Sequence, residues 1–154
     1  MSAGTQERKS AGAGQHRGQL RAPGRSGAFV DRVSDLRVYQ SARSSAMRLF
    51  ALSRSWPKAE RYALTDQARR SSRSVCANIA EAWAKRPYPK HFVSKLSDAH
   101  AEAEETRVWI GFAHDCGYID HETAVALESS YRLVVGGLVK MMRDPASWCR
   151  AITN

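Results

Sequence analysis

The stretch FVSKLSDAHAEAEETRVWIGFA, residues 92–113, decides the fold. Small or apolar residues recur in it at alternating intervals of four and three, at Phe92, Leu96, Ala99, Ala103, Thr106, Ile110 and Ala113. This spacing places one continuous apolar stripe along an α-helix, which turns once in about 3.6 residues. The pattern therefore predicts a long amphipathic helix that begins near Pro89 and ends at Gly117, a residue type typical of helix C-termini.

Three other segments show the same periodicity. They run from Ser34 or Asp35 to Arg54, from Leu64 to Ala84, and from Asp120 to Asp144. We expect Ser34 or Asp35 to cap the first of them, and Gly136-Gly137 to permit a close helix contact in the last. Short connections make consecutive helices antiparallel. The sequence thus predicts an all-α fold, an antiparallel up-down-up-down four-helix bundle over residues 29–144 with a short C-terminal tail at 145–154.

Residues 1–28 differ in composition from the rest of the chain. The protein carries 24 Lys and Arg against 15 Asp and Glu, a net charge of +9, and residues 1–27 contribute +4 of it. The same residues hold six of the ten glycines and one large aliphatic side chain, Leu20. Such a segment buries too little apolar surface to offset the entropy lost on ordering. We expect a disordered basic arm, which either contacts nucleic-acid phosphates or has no binding role.

Composition and motifs exclude several classes of protein. The three cysteines, Cys76, Cys116 and Cys149, form no CxxC pair and indicate reduced thiols in a cytoplasmic protein. The longest apolar runs, 108–113 and 133–139, fall far short of the ~20 residues that a membrane helix needs, so we expect no membrane association. Glu-x-x-His, HExxH, GxxxxGK[ST] and GxSxG motifs are absent from the sequence. We therefore predict a non-enzymatic protein with no catalytic, metal or cofactor site.

The second helix carries a polar stripe away from its apolar one. Its residues fall within about 80° of one another on the helix: Gln67, Arg70, Ser74, Asn78 and Glu81. Ser74 and Asn78 are poor helix formers, and their short side chains favour contact with a neighbouring helix or subunit over a simple solvated face. Arginines 69, 70 and 73 lie beside this stripe, and the third helix carries an acidic row at Asp98, Glu102 and Glu105.

The string ERYALTDQARRSSRSVCANIAEAW, residues 60–83, resembles a bacterial family of four-helix bundles, the 23S rRNA intervening-sequence proteins. The resemblance covers about residues 34–143, from Asp35-Leu36 through Trp56-Pro57 to Gly117-Tyr118-Ile119. Members of that family resemble non-enzymatic bundles, so the resemblance implies a non-enzymatic protein. Several members form ring-like homopentamers. Related accessory variability determinant proteins of retroelements bind a reverse transcriptase and nucleic acid through basic surface. The resemblance thus implies a homo-oligomer, a pentamer in its relatives, with RNA or a ribonucleoprotein as a partner.

Two hypotheses follow, and the sequence leaves both open. In the first, the protein is an oligomeric RNA or ribonucleoprotein accessory factor. By analogy with the relatives, its nucleic-acid or partner surface comprises Arg69, Arg70, Arg73, Lys85, Arg86 and Lys90. In the second, the protein is a protein–protein interaction scaffold with no nucleic-acid role. Its polar stripe and arginines then pair at subunit contacts with acidic residues such as Glu102 and Glu105.

Overall fold

The computed structural model describes Met1 and residues 30–151. These residues form four α-helices and no strand: α1 (Arg37–Ser53), α2 (Asp66–Ala84), α3 (Pro89–Asp115) and α4 (His121–Arg143). The all-α, four-helix prediction is confirmed. The predicted basic arm, apart from Met1, lies outside the described residues, as do residues 152–154. None of the helices in the described part combines the length and apolar character needed to cross a bilayer.

Consecutive helices run antiparallel, as the short connections predict. Between α2 and α3, the contacts pair Ser71 with Thr106 near one end and Glu81 with Lys95 near the other, so rising numbers meet falling ones. The same descending order joins α1 to α2, with contacts at Phe50–Arg69 and Asp31–Trp83, and α3 to α4, with contacts at Arg107–Glu128 and His114–His121. The first and last helices also meet, at Val38 and Gly137. Each helix therefore packs against two neighbours around a single core.

The apolar stripes predicted from the sequence form this core. All seven positions of the α3 stripe are buried, from Phe92 to Ala113, and none, the polar Thr106 included, exposes more than 2% of its surface. The apolar stripe that spacings of four and three predict for the second helix is buried as well: Leu64, Ala68, Ser72, Val75, Ile79 and Trp83. Burying a large apolar side chain stabilises a fold by about 1.5–3 kcal/mol. The periodicity of the sequence is thus sufficient to place the core.

The C-terminus of α3 is set by Gly117. Its φ of +78° is in the left-handed region that L side chains rarely adopt. Its amide donates to the His114 carbonyl at 2.9 Å, and the Tyr118 amide donates to the Ala113 carbonyl at 2.8 Å, which together make a Schellman motif. The α4 helix then begins after Asp120, whose side chain accepts a hydrogen bond from the Thr123 amide at 2.7 Å.

The first helix does not start as predicted. Val33–Asp35 form a single 3-10 turn, and α1 begins at Arg37 without a side-chain cap, so neither Ser34 nor Asp35 caps it. Leu36 occupies the capping position because its side chain is buried in the core, with 3% of its surface exposed. The Gln40 side-chain amide donates to the Ser34 carbonyl at 2.9 Å and holds the turn against the helix.

The start of the second helix also differs from the prediction. A π-helical turn, Arg61–Thr65, precedes α2, which begins at Asp66 and not at Leu64. Leu64 and Thr65 are buried within this turn, so the apolar stripe continues through it although its helical geometry changes.

Both ends of the described chain meet at Trp83. The Trp83 indole Nε1 donates to the Asp31 carbonyl at 3.2 Å, and the Trp148 ring packs edge-on at 6.3 Å between centroids. Trp148 and Cys149 follow a 3-10 turn at Pro145–Ser147 and pack against the core. Part of the predicted tail therefore adds to the packing of the bundle, while the division into arm, bundle and tail stays a prediction.

The expected close contact at Gly136-Gly137 involves the second glycine alone. A Cβ on Gly137 would lie 3.1 Å from Val38 Cγ2, whereas one on Gly136 would meet nothing within 4 Å. Gly137 therefore lets α4 approach α1, and Gly136 has no such role.

We expect alanine to have opposite effects at Gly117 and Gly136. Gly117→Ala should lower the free energy of unfolding by about 1–2 kcal/mol because alanine is strained at positive φ. Gly136→Ala should raise it by about 0.5–1 kcal/mol because alanine is the better helix former at an open position. Chemical denaturation followed by circular dichroism measures both, and equal effects of the same sign would contradict the Schellman assignment.

Candidate nucleic-acid interface

Arg70 forms ion pairs across the α2–α3 seam. Its guanidinium lies 3.2 Å from Glu102 Oε2 and also hydrogen-bonds to Glu105 Oε1. The hydrogen bond from Arg70 lowers the pKa of Glu105 below its usual value, and the Trp109 indole adds a second one at 3.1 Å. Arg70 therefore contacts, within its own chain, the same two glutamates that the scaffold hypothesis assigns to a subunit contact.

The rest of the predicted polar stripe follows the same seam. Glu81 pairs with Lys95 at 2.7 Å, and Lys95 also approaches Asp98 at 3.6 Å. Between the two ion-paired ends, the Asn78 side-chain amide donates to the Ser74 carbonyl at 3.0 Å. Gln67 is half-buried near the N-terminus of α2. The ends of the stripe are thus joined to α3, which neutralises the charges of Arg70 and Glu81.

The α3–α4 seam is neutralised in a similar way. Arg107 bridges the two helices, with Glu104 of its own helix at 2.9 Å and with Glu128 of α4. His114 and His121 come together at the end of this seam, with 5.5 Å between ring centroids. Among the described residues, no group of three or more His, Cys, Asp or Glu side chains is placed to hold a metal ion.

The α1–α2 seam has an excess of positive charge. No Asp or Glu occurs between Asp35 and Glu60, so α1 carries arginines alone among its charged residues. We define the α1–α2 basic groove by Arg43 and Phe50 of α1, Arg54 directly after it, and two arginines of α2, Arg69 and Arg73. On α1, the three groove positions lie within about 40° of one another and span about 16 Å. None of the groove arginines is paired with a carboxylate in the described part of the chain.

The side chain of Phe50 organises the groove. The guanidinium carbons of Arg69 and Arg73 lie 4.8 and 5.5 Å from its ring centroid, and Arg69 Nε donates to Ser53 Oγ at 2.8 Å. A guanidinium stacked on an aromatic ring keeps hydrogen-bond donors at its edge. Those donors match the geometry of a phosphate, which binds arginine through two parallel hydrogen bonds.

The remaining predicted cations follow α2. Lys85 and Lys90 are exposed, and Arg86 stacks on the Trp83 ring at 3.7 Å while its Nε donates to the Trp83 carbonyl at 2.9 Å. Burial and the nearby Arg150 lower the pKa of Arg86. The six cations that the resemblance grouped together thus occupy three places: Arg69 and Arg73 in the groove, Arg70 in the α2–α3 seam, and Lys85, Arg86 and Lys90 at the loop after α2.

Sequence reasoning missed the contribution of α1 to this surface. Arg43, Phe50 and Arg54 were not predicted as site residues, because the resemblance drew attention to α2. One signal was available: α1 and its flanks carry no acidic residue over residues 36–59.

Cys76 lies near Arg43, and burial raises the pKa of its thiol while Arg43 opposes that shift. Cys76, Cys116 and Cys149 are all free thiols.

The Arg70–Glu105 pair should make stability depend on pH. Because the pKa of Glu105 is lower in the folded state than in the unfolded one, the pair stabilises the fold above the ordinary pKa of 4.5. That stabilisation is lost as the pH falls through the folded pKa. We expect a double-mutant cycle of Arg70→Gln and Glu105→Gln to give a coupling energy below about 1 kcal/mol at pH 7, since both side chains are partly exposed, and a smaller one as the pH falls below 4.5. A coupling energy that does not change with pH would contradict this assignment.

Comparison with known proteins places this fold in a family. The family model of the 23S rRNA-intervening sequence protein matches residues 34–140. A crystal structure of a protein of unknown function from the S23 ribosomal protein family of Bacteroides thetaiotaomicron is similar in fold, with a TM-score of 0.63 at 24% identity. The similarity covers 69% of this chain and 95% of that one. A comparison with curated proteins finds no match. The chain belongs to the 23S rRNA-intervening sequence protein family.

Proposed function

We propose that this protein is a non-enzymatic, oligomeric accessory factor that binds RNA or a ribonucleoprotein through the α1–α2 basic groove. The observation that supports it is the segregation of charge among the seams. Arg70, Lys95 and Arg107 are neutralised by carboxylates of their own chain, whereas the groove arginines are not. A phosphate backbone supplies the missing negative charge.

Binding of this kind depends on the release of counterions. Each phosphate neutralised by a cation contributes about −0.9 to the slope of log affinity against log salt concentration for duplexes, and about −0.7 for single strands. A ring of subunits would repeat the groove and raise the avidity without any single strong site. A homopentamer, as the resemblance implies, and a cytoplasmic location, as the reduced cysteines indicate, are part of this proposal.

The ion pairs that the polar side chains form in the described part of the chain support a role in binding and not in catalysis. Acidic residues of α3 pair with a cation of α2 or of α3 itself: Glu102 and Glu105 with Arg70, Asp98 with Lys95, and Glu104 with Arg107. The arginines of the α1–α2 basic groove have no carboxylate partner among the described residues, and they lie together in a position suited to hold a polyanion.

The decisive test compares two triple variants that lose the same charge. Arg43→Gln/Arg69→Gln/Arg73→Gln removes groove cations, and Arg70→Gln/Lys95→Gln/Arg107→Gln removes paired ones. We expect the groove variant to weaken binding of an RNA oligonucleotide and to reduce the salt slope by about 2–3, measured by fluorescence anisotropy across a salt series. The paired-cation variant should keep most of the affinity.

Equal losses in the two variants would mean that net charge alone governs binding, and would contradict a role for the groove. Binding that does not respond to salt would contradict the electrostatic mechanism. Circular dichroism spectra of both variants check that the helices are retained.

The scaffold hypothesis is supported by a different surface. The outer face of α3 and the adjoining turn of α4 expose Val108, Phe112 and Val125 by 54%, 53% and 49%. Gly111 and Val125 line the same surface hollow between α3 and α4, and Arg107, which also lines it, is neutralised by glutamates. An exposed apolar patch with a satisfied rim is typical of a protein–protein contact. We propose a second copy of this chain as its partner, consistent with the oligomer that the resemblance implies.

Light scattering tests that contact. Val108→Asp/Val125→Asp places two charges in the patch and should reduce the solution mass toward that of a 17.1 kDa monomer. Tyr62→Asp, at a residue that is 74% exposed outside the patch, serves as the control and should leave the mass unchanged. An unchanged mass in both variants would exclude this face from the assembly.

A further inference from the structure

We propose that the connection between α2 and α3, which comprises the loop 85–88 and the first residues of α3 up to His91, stacks the base of an unpaired nucleotide on Tyr88, so that the ligand class is single-stranded RNA. The inference rests on the proposed function, because the α1–α2 basic groove supplies the electrostatic part of the affinity. It adds a preference between forms of nucleic acid, which phosphate contacts alone do not provide.

The Tyr88 ring is accessible to a ligand. Its side chain is 51% exposed, and its ring meets that of His91 edge-on at 6.0 Å with an interplanar angle of 68°. Pro87 and Pro89 flank it in sequence and restrict the backbone on both sides. The Tyr88 amide donates to the Lys85 carbonyl at 2.8 Å, which closes the turn. The ring is thus held outward by a rigid segment.

The surroundings of Tyr88 are cationic. The loop reads KRPYPKH and no Asp or Glu occurs in residues 82–97. Lys85 and Lys90 are exposed, and residues 87–91 line an open hollow of about 420 Å³. An aromatic face among cations is the arrangement by which proteins bind single strands, because each base offers a π-face and each nucleotide a phosphate.

This loop lies at the end of the helix that forms one wall of the groove. Arg73 and Arg86 are thirteen residues apart on α2 and its extension, or about 20 Å. The Arg86 guanidinium stacks on the Trp83 ring and lies two residues before Tyr88, so it adds a cation next to the exposed ring. Bases in a duplex are already stacked on their neighbours, so a duplex has no free base face to offer along its length.

A second exposed tyrosine provides a matched control. Tyr62 is 74% exposed and also lies beside a cation, with the Arg61 guanidinium carbon 5.5 Å from its ring centroid. It differs in its neighbours, since Glu60 is two residues away and no proline lies within four residues on either side. A general effect of losing a surface tyrosine would therefore be shared by Tyr62→Ala and Tyr88→Ala.

The experiment measures binding of the full chain to three ligands of the same length: a 12-nucleotide single-stranded RNA, its duplex, and an abasic oligonucleotide with the same phosphates. The wild type should bind the single strand more tightly than the abasic oligonucleotide. Tyr88→Ala should weaken single-strand binding by about 5- to 150-fold and leave duplex and abasic binding unchanged. Tyr88→Phe, which keeps the ring, and Tyr62→Ala should match the wild type.

The outcomes separate this inference from the proposed function. Equal single-strand affinity in Tyr88→Ala and Tyr62→Ala overturns the stacking role and leaves the groove intact. Parallel loss of all three ligands in Tyr88→Ala, with Tyr88→Phe equally weak, also overturns it, because that pattern reflects a structural defect. A wild-type chain that binds none of the three ligands at low salt overturns the proposed function, and the stacking role with it.

Discussion

The register between α2 and α3 depends on one buried hydrogen bond, between the hydroxyls of Ser71 and Thr106. Both residues are fully buried, and their oxygens are 2.9 Å apart. Each hydroxyl also lies within hydrogen-bond distance of a carbonyl of its own helix, so a shift of one helical turn would lose only the net contribution of this hydrogen bond, about 0.5–1.5 kcal/mol. The shift would also separate Arg70 from Glu102 and Glu105. The interior contact thus fixes which surface charges meet.

The distribution of charge follows from that register. With α2 and α3 aligned, carboxylates on α3 neutralise cations on α2, while Arg69 and Arg73 on the other side of α2 face a helix that has no carboxylate to offer. The positive charge of the bundle is therefore concentrated by helix packing and not by a run of basic residues. A protein of moderate net charge presents a locally strong positive surface in this way.

The sequence predicts the core and not the partners of surface residues. The α3 stripe from Phe92 to Ala113 follows from spacing alone because burial on one side is the main constraint on such a helix. The start of α1 could not be read, since Ser34 and Asp35 look like caps until the burial of Leu36 is known. Nor could the roles of Arg69 and Arg70 be separated: they are adjacent in sequence, and only packing shows that one meets α1 and the other α3. The position of a residue in a helix gives the direction in which its side chain leaves the helix axis. Which other helix lies in that direction depends on the arrangement of all four helices.

The meeting of Asp31, Trp83 and Trp148 has a topological consequence. The described chain enters and leaves the bundle at the same end, with both segments in contact with one indole ring. A short peptide joining residues 30 and 151 would therefore connect neighbouring points, and new termini opened between α1 and α2 would leave every helix whole. The packing of the helices then does not depend on their order along the chain. A circularly permuted chain, in which that order is changed, should fold into the same bundle.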